Sequence, residues 1–97
     1  KGARCLLGGE IPAGDGAFYP PTVLTNVKAG MPAYDEELFG PVAAIISAKD
    51  EAEAIKIAND SIYGLGAAVF TKDSARGVEI ATKQIQAGNV AVNSLVR

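Results

Sequence analysis

Seven consecutive residues, Val42 to Ala48, read Val-Ala-Ala-Ile-Ile-Ser-Ala. Only Ser47 interrupts the apolar character, so the run lacks the alternation of a strand with one wet face. Continuous apolarity marks a strand buried on both faces. Asp50, with Glu53 three residues on, makes a capping-box-like helix start. Ala54, Ile57 and Ala58 then fall at helical spacing, so a helix runs from Glu51 to about Asn59. The stretch Asn59 to Gly64 stops it, and Leu65 to Phe70 is a second buried strand. Asp73 or Ser74 caps a second helix, in which Val78, Ala81, Thr82 and Ile85 fall at i, i+3, i+4 and i+7. Gly77 inside that helix costs about 1 kcal/mol relative to Ala. Gly88 suits the position just past a helix end, and Asn89 to Asn93 is a third strand. The order β-α-β-α-β with short connections predicts a parallel sheet with right-handed crossovers.

The first third is less regular. Arg4 to Leu7 is a short apolar run closed by Gly8-Gly9, a strand and a turn. Glu10 to Gly16 holds turn residues, and Phe18-Tyr19-Pro20-Pro21 forces an extended entry because Pro restricts the residue before it. Thr22 to Val27 is a second short strand, and Lys28 to Pro32 a loop. The expected class is therefore α/β: a β-α-β-α-β parallel sheet preceded by two short strands. At 97 residues and 48% hydrophobic, the chain is one domain at most, with no linker between independent parts. Size scaling gives a folded surface of about 5,200 Å² and a thin core. A parallel sheet needs cover on both faces, which two helices can hardly supply. Missing layers from a longer protein, or a partner chain, are expected, and the isolated chain is expected to self-associate.

Composition excludes several functions. A net charge of -2 with mixed signs gives no basic stripe to track nucleic-acid phosphates. No apolar run approaches about 20 residues, so no membrane span is expected, and the start has no signal-peptide pattern. Lys1 in place of Met hints at a piece of something longer. Cys5 is the single cysteine and His is absent, so no disulfide framework, zinc site or His-paired nucleophile can be built within this chain. A reducing cytoplasm fits best.

The unusual stretch is Tyr34-Asp35-Glu36-Glu37-Leu38-Phe39-Gly40-Pro41-Val42. In an extended segment Glu37 and Phe39, two apart, point the same way. A carboxylate beside an aromatic ring suits a sugar: the carboxylate accepts from two vicinal hydroxyls and the ring packs on the sugar or a neighbouring heterocycle. Gly40 allows close approach and Pro41 stiffens the strand entry. The plainer reading is an exposed acidic loop with Phe39 in the core and Gly-Pro as a turn. On these residues alone the plainer reading is the stronger.

The run Glu36-Glu37-Leu38-Phe39-Gly40-Pro41-Val42 resembles the Glu-Glu-x-Phe-Gly-Pro-Val signature of the NAD(P)-dependent aldehyde dehydrogenase superfamily. Gly8-Gly9 and Phe18-Tyr19-Pro20-Pro21-Thr22-Val23-Leu24 resemble the segment preceding that signature. Ala58-Asn59-Asp60-Ser61-Ile62-Tyr63-Gly64-Leu65, Val69-Phe70-Thr71-Lys72-Asp73 and Gly88-Asn89-Val90-Ala91-Val92-Asn93 resemble the segments on its C-terminal side in that family. Nearly the whole chain is covered in order. With Met31-Pro32-Ala33-Tyr34 before the acidic residues, it is most similar to the succinate-semialdehyde dehydrogenase-like branch.

The resemblance implies that residues 1–97 are a fragment of one catalytic domain, with the cofactor-binding domain and the nucleophile region absent. It implies a parent that oxidises an aldehyde to a carboxylate with NAD or NADP, as a cytoplasmic homo-oligomer with no nucleic-acid or membrane partner. Glu37 would bond the nicotinamide ribose and Phe39 the nicotinamide end. Glu36, Gly40 and Pro41 would be structural, and Asn59, Tyr63 and Gly64 helix-stop and packing residues. The family's Cys thiolate attacks the aldehyde and a Glu activates water on the resulting thioester; both lie upstream of everything matched here. No catalytic and no metal-binding residue is therefore expected in the chain, and the fragment alone should be inert. Cys5, beside Leu6 and Leu7, reads as a small buried hydrophobe. Ligands of open α/β sheets usually lie beyond the carboxyl ends of strands. Glu37 and Phe39 precede a strand, which makes sense if another domain presents the cofactor to them. Two rival readings remain: a non-catalytic α/β interaction module, and part of a CoA-acylating dehydrogenase.

Overall fold

The structure, a computed structural model, describes residues 2–97. It divides the chain into two units, Lys1–Ser47 and Ala48–Arg97, at a point the sequence does not mark as a linker.

The first unit is a three-stranded sheet in the order β1-β2-β3, formed by β1 (Arg4–Leu7), β2 (Thr22–Thr25) and β3 (Val42–Ala44). The pair β1–β2 is antiparallel, with Arg4 opposite Thr25, Cys5 opposite Leu24 and Leu7 opposite Val23; the register shift leaves Leu6 as a bulge. The pair β2–β3 is parallel, from Thr22 opposite Val42 to Leu24 opposite Ala44. The turn after β1 uses Gly8 and Gly9 at φ 72 and 86. A Cβ on Gly9 would lie 2.8 Å from Cys5 Sγ, and one on Gly8 2.6 Å from Thr22 Oγ1. Only glycine fits this conformation and this space. A one-turn helix, α1 (Pro32–Asp35), stands where a loop is expected up to Pro32. Proline at the first helical position is pre-set for a helix and lacks only an N–H that would have no intrahelical partner.

The second unit is a crossover: α2 (Glu51–Asn59), β4 (Gly66–Val69), α3 (Ser74–Lys83) and β5 (Asn89–Val92), with β4 and β5 parallel and in register from Gly66–Asn89 to Val69–Val92. Both helices begin where the sequence places them. The Asp50 carboxylate accepts the Glu53 N–H at 2.8 Å, and Glu53 reaches back to the Lys49 N–H at 2.6 Å. Asp73, rather than Ser74, caps α3 by accepting the Arg76 N–H at 3.0 Å. Asn59 ties the two helix ends together: its Nδ2 donates to the Gln84 carbonyl at 2.7 Å, and its Oδ1 accepts the Gln86 N–H at 2.8 Å. Arg76 bridges Glu51 of α2 and Glu79 of α3 at 2.8 and 2.9 Å. Hydrogen bonds first to Glu79 and then to Glu51 hold its pKa above the ordinary arginine value.

The α/β class holds, but the strands do not join one β-α-β-α-β sheet. β3 pairs with β2, and among the described residues β4 pairs only with β5. The reason lies in β2. Asn26 adopts φ 53, a left-handed turn that Asn tolerates, and β2 ends at Thr25. The Ile45 N–H still reaches Leu24 O at 2.8 Å, but the rest of the apolar run has no strand to lie against. β3 therefore stops at Ala44 rather than Ala48, and Ala43, Ala44 and Ile45 are exposed rather than buried on both faces. Asn93, at φ 53, ends β5 in the same way.

Apolar cover is scarce. Among the described residues the buried hydrophobic side chains are Val27 and Ile80, and the accessible surface is 7321 Å², well above the about 5,200 Å² expected at this mass. Leu7, Phe18, Ile62, Leu65, Phe70 and Leu95 are all more than half exposed. Both units therefore leave large apolar side chains uncovered.

Gly77 has a packing role. It is buried, and an added Cβ would lie 2.9 Å from both Thr71 Cγ2 and Val92 Cγ1, so its absence lets α3 approach β5. Ala is the better helix former by about 1 kcal/mol, yet Gly77→Ala should lower stability, because both methyls must give way. Chemical denaturation checks this: a midpoint raised by the substitution would show that the close approach does not matter.

Candidate functional site

The acidic stretch is built between two anchors. At its start, α1 ends at Glu36, whose N–H donates to Pro32 O at 2.9 Å, and the Asp35 carboxylate accepts the Gly30 N–H at 3.0 Å. At its end, the Val42 N–H donates to Gly40 O at 2.8 Å, closing a γ-turn centred on Pro41. The Thr22 N–H donates to Pro41 O at 2.8 Å, which ties that turn to β2. Between the anchors, Glu37, Leu38 and Phe39 are exposed.

Two features of Glu37 and Phe39 bear on a ligand role. Phe39 adopts φ 40, where a bulky residue is a rare outlier, at a conformational cost of order 1–3 kcal/mol. Its side chain is 87% exposed, so the reading that places it in the core is not realised. Among the described residues, no hydrogen bond or ion pair engages the Glu37 carboxylate. The backbone reversal at Phe39 also overturns the simple alternation argument. The segment is not extended there, so spacing by two does not put Glu37 and Phe39 on one face.

Phe39, Gly40 and Pro41 form one wall of a recess of about 880 Å³, and Gly8, Gly9 and Tyr19 contribute to the rest; Glu37 is not among its lining residues. Thr22 is the polar residue that sequence reasoning missed. It is 3% exposed, the one buried polar residue among those described. A hydroxyl at the first position of a strand, straight after Pro-Pro, was the available signal.

Cys5 also lines the recess, and it is exposed rather than buried among apolar neighbours. β1 is an edge strand and all four of its residues are exposed, so Leu6 and Leu7 provide no enclosing layer. Its S–H points to the carbonyls of Leu7 and Gly8, each at 3.3 Å. Among the described residues no group of three His, Cys, Asp or Glu could hold a metal ion.

The sequence profile described as Aldehyde dehydrogenase family matches residues 1–97. The chain belongs to the aldehyde dehydrogenase family. It is 52% identical over 93 residues to the succinate semialdehyde dehydrogenase NAD(P)+ Sad of Escherichia coli (strain K12), covering 96% of this chain and 20% of that protein. It is 50% identical over 93 residues to the NADP(+) succinate-semialdehyde dehydrogenase of Deinococcus radiodurans, covering 96% and 19%. The crystal structure of a Mycobacterium tuberculosis aldehyde dehydrogenase complexed with NAD+ superposes with a TM-score of 0.90 at 44% identity, over 99% of this chain and 20% of that one. The aldehyde dehydrogenase resemblance of the sequence is thus shown, and succinate-semialdehyde dehydrogenases stand among the relatives. The chain spans about one fifth of their length.

The exposure of Cys5 has a direct test. In the folded 97-residue chain it should react promptly and stoichiometrically with a thiol reagent, without denaturant. Labelling that waits for unfolding would contradict the edge-strand placement.

Proposed function

We propose that this chain is part of the catalytic domain of an NAD- or NADP-dependent dehydrogenase that oxidises an aldehyde to a carboxylate, with the Glu37–Phe39 segment facing the nicotinamide end of the cofactor. The observation that carries this reading is Phe39, a large aromatic side chain held outward in a strained conformation between two anchored ends. Its positive φ sets it apart from Phe18 and Phe70, which are exposed without it. Strain that persists in an exposed aromatic points to a ligand contact.

The residues fit such a cofactor. The free Glu37 carboxylate can accept hydrogen bonds from two vicinal ribose hydroxyls. The exposed Phe39 ring can pack on the adjacent heterocycle. When bound, the cofactor supplies the hydride acceptor. The part played by Glu37 and Phe39 is to fix the position of the acceptor ring relative to the aldehyde carbon, where small displacements are expensive in rate. The nucleophile and the base belong to other parts of the protein, so the 97 residues alone should not reduce either cofactor. The relatives named for succinate semialdehyde support a semialdehyde of that kind as the substrate. The lone cysteine supports a reducing cytoplasmic setting. The mixed surface charge argues against nucleic acid as a partner, and the uncovered apolar faces support assembly into a homo-oligomer.

In the full-length protein, Glu37→Gln keeps the shape but removes the charge that strengthens the ribose hydrogen bonds. Charge-assisted hydrogen bonds are worth about 1.5–3 kcal/mol, so roughly a ten- to hundredfold loss should appear in the cofactor-dependent steps. Phe39→Leu should act in the same direction through lost ring contact, while Glu36→Gln should change little. Steady-state and single-turnover kinetics, with folding checked separately, test this. Damage from Glu36→Gln with a silent Glu37→Gln would reverse the assignment, and three silent variants would make the segment a solvated loop.

A further inference from the structure

We propose that Thr22 is a positioning residue that holds the Phe39–Pro41 wall of the recess in register with the opposite Gly8–Gly9 wall. Its functional meaning rests on the reading of Phe39 as a cofactor contact. Thr22 is 3% exposed, and its hydrogen bonds reach three separate segments. Its N–H donates to Pro41 O at 2.8 Å. Its Oγ1 accepts the Gly9 N–H at 3.0 Å and donates to Pro20 O at 3.0 Å. One residue therefore joins the glycine turn after β1 and the proline entry to β2 through its side chain, and the γ-turn next to Phe39 through its backbone. Gly9, Thr22, Phe39 and Pro41 all line the same recess.

Thr22 touches no reacting atom; its hydroxyl acts through the Gly8–Gly9 turn, which lines the same recess as Phe39. The Gly8–Gly9 turn, at φ 72 and 86, has no side chains to lock it. The Thr22 hydroxyl is the side chain that engages the Gly9 amide. Without it, Gly9 loses its acceptor and the turn can shift against the segment that meets the cofactor. Hydroxyl chemistry is required, and the methyl is not, so Ser should serve and Val should not.

The test uses the full-length protein. Thr22→Val is close in shape but breaks both side-chain hydrogen bonds, whereas Thr22→Ser keeps them. A net hydrogen bond corresponds to roughly a three- to tenfold change, and the expected effect is a rise of that size in the cofactor KM. The aldehyde KM should stay unchanged, and Ser should restore the wild-type value. An unchanged cofactor KM in the folded Val variant, or a Ser variant no better than Val, overturns the proposal. Should the Val variant not fold, hydrogen exchange on the wild-type protein with and without cofactor decides the matter. Residues 8–9 should gain protection together with residues 39–42. Protection at 39–42 alone would overturn the coupling. No response at 39–42 from a protein that does bind cofactor would instead count against the cofactor reading itself and remove the ground on which the Thr22 proposal stands.

Discussion

Among the described residues, each unit of this chain buries one apolar side chain, Val27 in the first and Ile80 in the second. Burial of apolar surface is the dominant favourable term in folding, so a fold this poorly supplied must draw on other interactions. It does so through backbone ladders and local side-chain-to-backbone bonds: the Asp50 and Asp73 caps, the Asn59 bridge between helix ends, and the Thr22 cluster. These specify direction and register. At about 1 kcal/mol net apiece they do not replace a core. The exposed leucines and isoleucines, with Phe18 and Phe70, are apolar faces that the described residues leave uncovered. That agrees with a chain spanning one fifth of its relatives' length.

The same constraint explains why the candidate site takes the form it does. A strained residue persists only where its surroundings over-determine it. With no core above Phe39, the strain is held by hydrogen bonds at either end of the segment: Asp35 to Gly30 before it, Pro41 to Thr22 and Gly40 to Val42 after it. Of the three adjacent carboxylates, Asp35 is consumed as a structural acceptor. Glu36 closes the short helix through its backbone N–H, and its side chain, like that of Glu37, is exposed.

The two longer helices, α2 and α3, were legible in the sequence because their starts are chemical, whereas the one-turn α1 was not. Asp50 and Asp73 cap as short polar side chains do, and the apolar spacing after each cap admits one period. Strand partners were not legible, because a continuous apolar run such as Val42 to Ala48 says nothing about which strand lies beside it. The decisive event, a left-handed backbone at Asn26, leaves only a weak trace in residue type. The signature segment was readable as chemistry from its carboxylate, aromatic and Gly-Pro, but not as geometry. Nothing in the residue types announces φ 40 at Phe39, and that angle undoes the alternation argument. Cys5 misled because Leu6 and Leu7 beside it suggest burial, while an edge strand without a covering layer exposes everything on it.

Under the proposed function, the exposure of Phe39 differs in kind from that of the other apolar side chains: Phe18 and Phe70 are covered by protein in the full-length molecule, and Phe39 by the cofactor. Hydroxyl-radical footprinting distinguishes these most directly, comparing the isolated chain, the full-length protein and the full-length protein saturated with NAD or NADP. Phe39 should be oxidised in the first two states and protected only in the third, while Phe18 and Phe70 should become protected in the full-length protein whether or not cofactor is present. Protection of Phe39 in the full-length protein without cofactor, or oxidation of Phe39 undiminished when cofactor is bound, would contradict this distinction.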